Sequence, residues 1–395
     1  MHNRTTVAAA AAAGACLAIG LSSSAFGSTG TKTASLAKIC PSTVKIQGNW
    51  TPEVEVGAYY QLAASGGQIN SGQKTYTADL IDPQTGGSTG VKVELLAGGP
   101  AVGYSSPEQL LYEDPSILLG VDAEDTQIEG YAKTPTVGVV TPMNLYDNVF
   151  FWNPAVWHFK SIADVGKSGA TLLSYGTGGA LNLYLERKGE LHASQIDGAY
   201  NGSPGDFVAS GGKLVSGGYA TYEPFVYTHE LSAWDKPVAY QLLESTGYNP
   251  YSDTTVVTPA NEQKYSACLK QLVPMIQEAQ ISFLKAPARV EKMIVGLNAA
   301  YKVGGSYTLA DGRYAVKTML ADRIMSQPAS GGFGSFDMGR VSHMIALLKS
   351  TKSVTDLPAG FSASKLETNK FIDPNIKMTF YKGPYNKTNG VIIEK

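Results

Sequence analysis

Residues 174–186, SYGTGGALNLYLE, carry the first pattern in the chain that looks like chemistry. A short apolar run ends at Ser174, a turn of Tyr175, Gly176, Thr177, Gly178 and Gly179 follows, and Leu181, Tyr184 and Leu185 then keep helical spacing up to Gly189. A helix starting at that turn would present backbone N–H groups that have no intrahelical partner. Such groups suit an anionic or strongly polar part of a ligand. The same glycines also serve a plain strand-to-helix turn, common in α/β proteins, and the local sequence leaves both readings open.

The other motifs fail on context. Gly86-Gly87-Ser88-Thr89-Gly90 has the form of a nucleophile elbow, yet polar loop precedes it and an apolar strand follows it, the reverse of what the elbow needs. Gly166-Lys167-Ser168 resembles the end of a phosphate-binding loop, but the first glycine of that loop falls on Ser161. Gly176-Thr177-Gly178 begins a dinucleotide fingerprint whose third glycine position holds Leu181. His229-Glu230 opens a zinc motif whose second histidine falls on Ala233, while His158, His192 and His343 stand isolated. No nucleophile with its base and no metal-ligand spacing emerges, so an enzyme is the minority reading and neither cofactor nor metal is expected.

The elements that must position the turn belong to a large exported chain. With 395 residues and 43% hydrophobic content it can bury a sizeable core and suggests two domains or lobes. Residues 1–27 read as a secretory signal, with Arg4, an apolar stretch and small residues before Gly27. Cys16, after Ala13-Gly14-Ala15, loosely matches a lipid attachment site, although the apolar stretch continues past it. Without those residues the net charge moves from −2 to −3, since Arg4 is the one charge removed, and neither nucleic acid nor an anionic membrane is indicated as partner. Two cysteines then remain, Cys40 and Cys268. In an oxidising compartment they form a disulfide candidate, the alternative being two buried thiols.

After a Ser/Thr/Lys-rich linker (28–39), residues 43–46 predict a strand, 54–64 a helix, 91–96 a strand, 108–112 a helix, and 116–122 a buried strand. Another apolar run covers 136–140. A second unit then opens with a strand near 171–174 and a strand-like run from Lys213 that ends near Thr221-Tyr222-Glu223-Pro224, and from about Lys236 the chain turns helical again, with Pro274 marking a kink or boundary. This alternation predicts α/β lobes with mostly parallel sheets and binding loops at the strands' C-terminal ends.

Taken together, WTPEVEVGAYYQLAASGG, VELLAGGP, LLGVDAEDT, SIADVGKSGATLLSYGTGGALNLYLERKG and GGYATYEPFVYTHEL resemble the solute-binding proteins of ABC importers, in the branch for nitrate, sulfonates, taurine and thiamine-pyrimidine precursors. The resemblance runs from about Cys40 to Arg323 and rests on the order of several motifs. It implies a type II periplasmic-binding architecture: lobe I from 40–146 and 236–345, lobe II from 147–235, and an extension over 346–395. It also implies a monomer outside the cytoplasm that carries a small solute to permease subunits. By the same resemblance the ligand contacts are Trp50, Pro52, Gly98, Gly99, Pro100, Tyr175 through Gly179, and Glu223. These loops carry no Arg or Lys, which departs from what a sulfonate or nitrate site needs and favours a neutral or heteroaromatic solute. The alternative is an exported enzyme on the same fold, related to pyrimidine-precursor synthesis.

Overall fold

The computed structural model describes residues 35–200, 202–386 and 390–395; the signal segment, Cys16 and residues 28–34 lie outside them. The strands, in chain order, are β1 (Thr43–Gln47), β2 (Gln68–Asn70), β3 (Thr75–Ile81), β4 (Ser88–Leu96), β5 (Ile117–Asp122), β6 (Val137–Val140), β7 (Asn148–Trp152), β8 (Leu172–Leu173), β9 (Ile196–Asp197), β10 (Val215–Tyr219), β11 (Val238–Leu242), β12 (Thr254–Val257) and β13 (Ile392–Glu394). They form one sheet in the order β2-β3-β4-β1-β5-β12-β6 and another in the order β13-β11-β7-β10-β8-β9. The α/β, two-sheet architecture expected from the sequence is therefore present.

Both sheets are mixed rather than mostly parallel. Parallel pairing is confined to β4-β1-β5 in the first sheet and β10-β8-β9 in the second. Strands β12 and β7 pair antiparallel to their neighbours because each enters its sheet directly from a segment that crosses between the two, without the helical crossover that parallel pairing requires. The segment after the helix Gly57–Leu62 supplies the β2-β3 hairpin and widens the first sheet.

The chain crosses at residues 141–147, between β6 and β7, and again at 243–253, between β11 and β12. The second sheet therefore runs past the boundary expected at 235, since β11 pairs with β7, and it also takes β13 from the C-terminal extension. One side chain holds both crossings. Arg340 donates from Nε to the Asn249 carbonyl (2.6 Å), from its guanidinium to the carbonyls of Asn144 and Pro250, and to Asn249 Oδ1 (2.8 Å), and it lies 3.7 Å from the centroid of Tyr251. It starts the helix Met338–Thr351, which Asp337 caps through the N–H groups of Gly339 and Arg340.

Packing follows the patterning. Strand β7 buries Phe150 and Trp152 on one face and Val149 and Phe151 on the other, as a strand covered on both sides must. Trp152 is thus core, and Trp157 stacks on Phe159 with its Nε1 donating to the Lys213 carbonyl, so neither indole serves the ligand loops. Pro274 does not interrupt its helix, Ser266–Lys285, which runs through it and buries Leu269, Leu272, Ile276 and Phe283. That helix also carries Cys268, disulfide-bonded to Cys40 with a Cα–Cα distance of 4.9 Å.

Peptide mapping after alkylation without reductant is expected to find Cys40 and Cys268 unlabelled. Replacing both by Ser should lower stability by about 2–5 kcal/mol, the usual cost of losing a native disulfide. Labelling of either cysteine in the unreduced protein would refute the bridge.

Candidate functional site between the lobes

Because β1, β4 and β5 run parallel, the loops after Gln47, Leu96 and Asp122 leave the same edge of the first sheet, and β8, β9 and β10 do the same for the second. Trp50 comes from the loop after β1. Its indole is 45% exposed and lies over the chain at Gly99: a Cβ at Gly99 would come within 2.5 Å of the ring, and one at Gly98 within 2.2 Å of the Gly48 carbonyl. The Gly98-Gly99 pair is thus the seat of Trp50. Pro100 opens the short turn of helix Gly99–Val102, and buried Pro52 accepts from Asn298 Nδ2 through its carbonyl. These residues shape the loop while the indole remains free. Tyr104, 70% exposed and with a left-handed φ of 64°, stands 5.9 Å from Trp50, ring to ring.

From the second sheet come Tyr175, 62% exposed, and Tyr219, 45% exposed. Tyr175 packs at 4.9 Å on buried Tyr200, and the turn that bears it is held to its helix by Asn182, which donates from Nδ2 to Ser174 Oγ and the Gly176 carbonyl. The turn Gly176, Thr177, Gly178 and Gly179 is exposed, and Gly179 caps the helix Ala180–Lys188 without a side-chain hydrogen bond. Burial raises the Tyr175 phenol, with further contributions from Tyr200, Glu223 and Tyr104. Tyr104 belongs to the first lobe and Tyr175 to the second, so the rings face a common space.

The floor of that space is acidic. Glu53 and Glu55 follow Trp50, Asp147 and Asp253 end the two crossing segments, and Glu223 follows β10. Ser252 Oγ donates to Asp147 (2.7 Å), Asn49 Nδ2 to Asp253 (2.8 Å), and the Tyr219 N–H to Glu223 (2.7 Å). Glu223 therefore has a local structural role besides facing the cleft. Burial, then mutual repulsion, lifts Glu53 well above the usual carboxylate range, with Glu55, Asp253, Asp147 and Glu223 all contributing. Burial pushes Glu55 and Glu223 up to about 7, Asp147 to about 6 and Asp253 to about 8. Glu53 and Tyr219 keep open surface and are nonetheless strongly desolvated, the combination that a recessed wall produces. None of the ion pairs among the described residues reaches these carboxylates.

Of the residues singled out from the sequence, Trp50, Tyr175 and Glu223 meet at this space. Glu53, Glu55, Tyr104, Asp147, Tyr219 and Asp253 were missed. Glu53 and Glu55 lie inside a quoted motif, and two acids beside an exposed Trp were the available signal. Nothing local marks Asp147 or Asp253.

No family model and no curated relative matches the sequence. Solved structures do match in fold. A protein from Bordetella bronchiseptica RB50 aligns at 14% identity over 84% of this chain and 96% of its own, with a TM-score of 0.50. The periplasmic aliphatic sulphonate binding protein SsuA from Escherichia coli aligns at 14% identity over 88% of this chain and 98% of its own, also with a TM-score of 0.50. The fold is that of the periplasmic binding proteins, in agreement with the resemblance read from the sequence.

Carboxylates ionise near pH 4 in an unfolded chain, whereas those of the floor ionise near 6 to 8 when folded. Between these values the folded state binds more protons, so the empty protein should lose stability as pH rises from about 4 to about 8. Glu124 and Glu367, also raised by burial, add to that slope. Glu55→Gln isolates the floor's share: at pH 8 it should raise stability by about 1–3 kcal/mol, the penalty of a buried unsatisfied group, with the gain vanishing at pH 4. Denaturant titrations at the two pH values check it, and an unchanged slope in the variant would contradict it.

Proposed function

We propose that this protein is the extracytoplasmic solute-binding component of an ABC importer, closing two lobes on a small organic solute and presenting it to membrane permease subunits. The observation that carries this reading is the set of exposed aromatic rings from both lobes around a recessed floor where the chain crosses between them. Among the described residues no helix is long and apolar enough to cross a membrane, which is consistent with a separate permease.

Lobe I in this reading comprises residues 40–140 with the helices between Pro259 and Ala321, and lobe II residues 148–242, against whose helix Ala180–Lys188 the helix Met338–Thr351 packs. The turn from Gly176 to Gly179 is a second contact: the N–H groups of Gly178 and Gly179 open the helix Ala180–Lys188 and can donate to an oxygen of the solute. Sulfonate or nitrate fits poorly, because the strongest charges at the floor are acidic and no Lys or Arg stands among the ligand loops. An exported enzyme on this fold would require turnover of the bound compound, and nothing at the site favours it.

Two measurements test the reading. Small-angle scattering should show a smaller radius of gyration on adding the solute, and an unchanged radius at saturation would argue for a rigid pocket. A Cβ at Gly178 meets nothing within 4 Å, so Gly178→Val should fold normally. It should weaken binding by about 1–3 kcal/mol by blocking the approach to the amides. Binding equal to wild type by calorimetry would remove the turn from the site.

A further inference from the structure

The helix Leu309–Ala321 belongs to the first lobe, yet it meets the second at its start, its middle and its end. At the C-terminal end the Tyr240 hydroxyl of β11 donates to Asp322 Oδ2 (3.0 Å). Close by, the Ile324 carbonyl accepts from the N–H groups of Asn144 and Leu145, so this end sits on the first crossing. Halfway along, Tyr314 stacks on Phe225 of the second lobe, with ring centroids 4.9 Å apart and planes 25° from parallel. At the N-terminal end Thr308 Oγ1 donates to Glu230 Oε1 (3.2 Å), the last residue of the single π-helical turn Val226–Glu230.

These contacts differ in depth. Tyr240, Asp322 and Tyr314 are buried, Phe225 and Thr308 are half-buried, and Glu230 is exposed. A helix of 13 residues puts the exposed contact about 20 Å from the buried one beside the crossing. Buried contacts open only with the fold, whereas an exposed pair of side chains opens locally. The exposed end is also the end at the cleft. The turn 302–308 that leads into the helix rests on the loop bearing Trp50: a Cβ on Gly304 would stand 3.2 Å from Thr51 Cγ2, and the Tyr307 hydroxyl accepts from the Val54 N–H (3.4 Å). Thr308 reaches the other lobe with the one group it has left. Its oxygen accepts from the N–H groups of Ala310 and Asp311 as the helix cap, and its proton goes to Glu230.

We infer that Thr308 and Glu230 form a latch across the mouth of the cleft: the lobes pivot where Tyr240 meets Asp322 beside the crossing, and the latch at the far end of the helix, backed by the Phe225–Tyr314 stack, sets their separation in the empty protein. Breaking the latch parts the lobes at the cleft while the hinge end stays packed. The inference takes its two lobes from the solute-binding reading, and its test uses the empty protein so that the two can fail separately.

The test is the distance between spin labels at Ser71→Cys in the first lobe and Asp206→Cys in the second, both exposed sites, the native cysteines being paired with each other. Thr308→Asp is the decisive variant. Asp caps a helix at least as well as Thr, but it brings no donor and sets a carboxylate against Glu230. At pH 8 it should shift and broaden the distance distribution with the circular dichroism of the helices unchanged. Adding Glu230→Lys to Thr308→Asp puts an ion pair across the same gap and should return the wild-type distribution. An unchanged distribution in Thr308→Asp overturns the latch. A shift that persists in the paired variant, or one accompanied by lost helix, traces to a disturbed helix start and overturns it equally. None of these outcomes decides whether the cleft binds a solute, which rests on the scattering and calorimetry above.

Discussion

The arrangement of this molecule depends on a single guanidinium. Besides the C-terminal return that places β13, two short stretches of chain pass between the sheets, and Arg340 donates to backbone carbonyls on both, Asn144 on the first and Asn249 and Pro250 on the second. Because its donors form a planar fork, the two segments are held at one separation and angle. Burial lowers the Arg340 pKa, while Tyr251, Glu124, Glu244 and Asp337 act in the opposite direction, so the group stays charged within a largely protein environment. Asp147 and Asp253 each lie three residues beyond a clasped residue, Asn144 and Pro250. The clasp that joins the lobes thereby also places the two carboxylates that converge from the crossings.

That placement is costly, which is informative. Like charges brought together with little water and no cation relieve their repulsion by retaining protons, hence the upward shifts at Glu53, Glu55, Asp147, Asp253 and Glu223. A chain selected for stability alone would replace such groups by apolar residues of similar volume. Buried acids elsewhere in the fold are partly satisfied in the same way, as where Glu124 Oε2 accepts from the Tyr251 N–H and Tyr248 donates to Asp125.

Much of the fold was legible because local chemistry dictates it. Val91, Val93 and Leu95 alternate into β4, the run from Ile117 to Asp122 is buried throughout, and Gly98-Gly99-Pro100 ends a strand wherever it occurs. The disulfide was legible from parity and compartment. What escaped is whatever depends on the crossings. The direction of β7 and β12 and the inclusion of β11 in the second sheet follow from where the chain changes lobe, and no local pattern encodes that. The site divides the same way. Trp50 and Tyr175 sit in loops that glycines announce, whereas Asp147 and Asp253 stand 106 residues apart in unremarkable sequence and become neighbours only through the hinge.

The two halves of the site are therefore built on different physical terms. The aromatic half is preorganised by close backbone approach: without a Cβ at Gly99 the indole of Trp50 lies flat on the loop, and Tyr104 holds its place beside it in a left-handed conformation stabilised by the hydrogen bond from its N–H to the Gly99 carbonyl. Such rings change little with pH or with the distance between lobes. The acidic half does change, because its charge is set by how closely Glu53 and Glu55 from one lobe and Glu223 from the other approach the hinge acids. Drawing the lobes together raises the repulsion among these groups and holds more protons on them; a counter-charge among them reverses that cost. If the lobes close as proposed, these carboxylates oppose closure without a counter-charge and favour closure around one, and the clasp on the crossing segments would carry that local balance to a whole lobe.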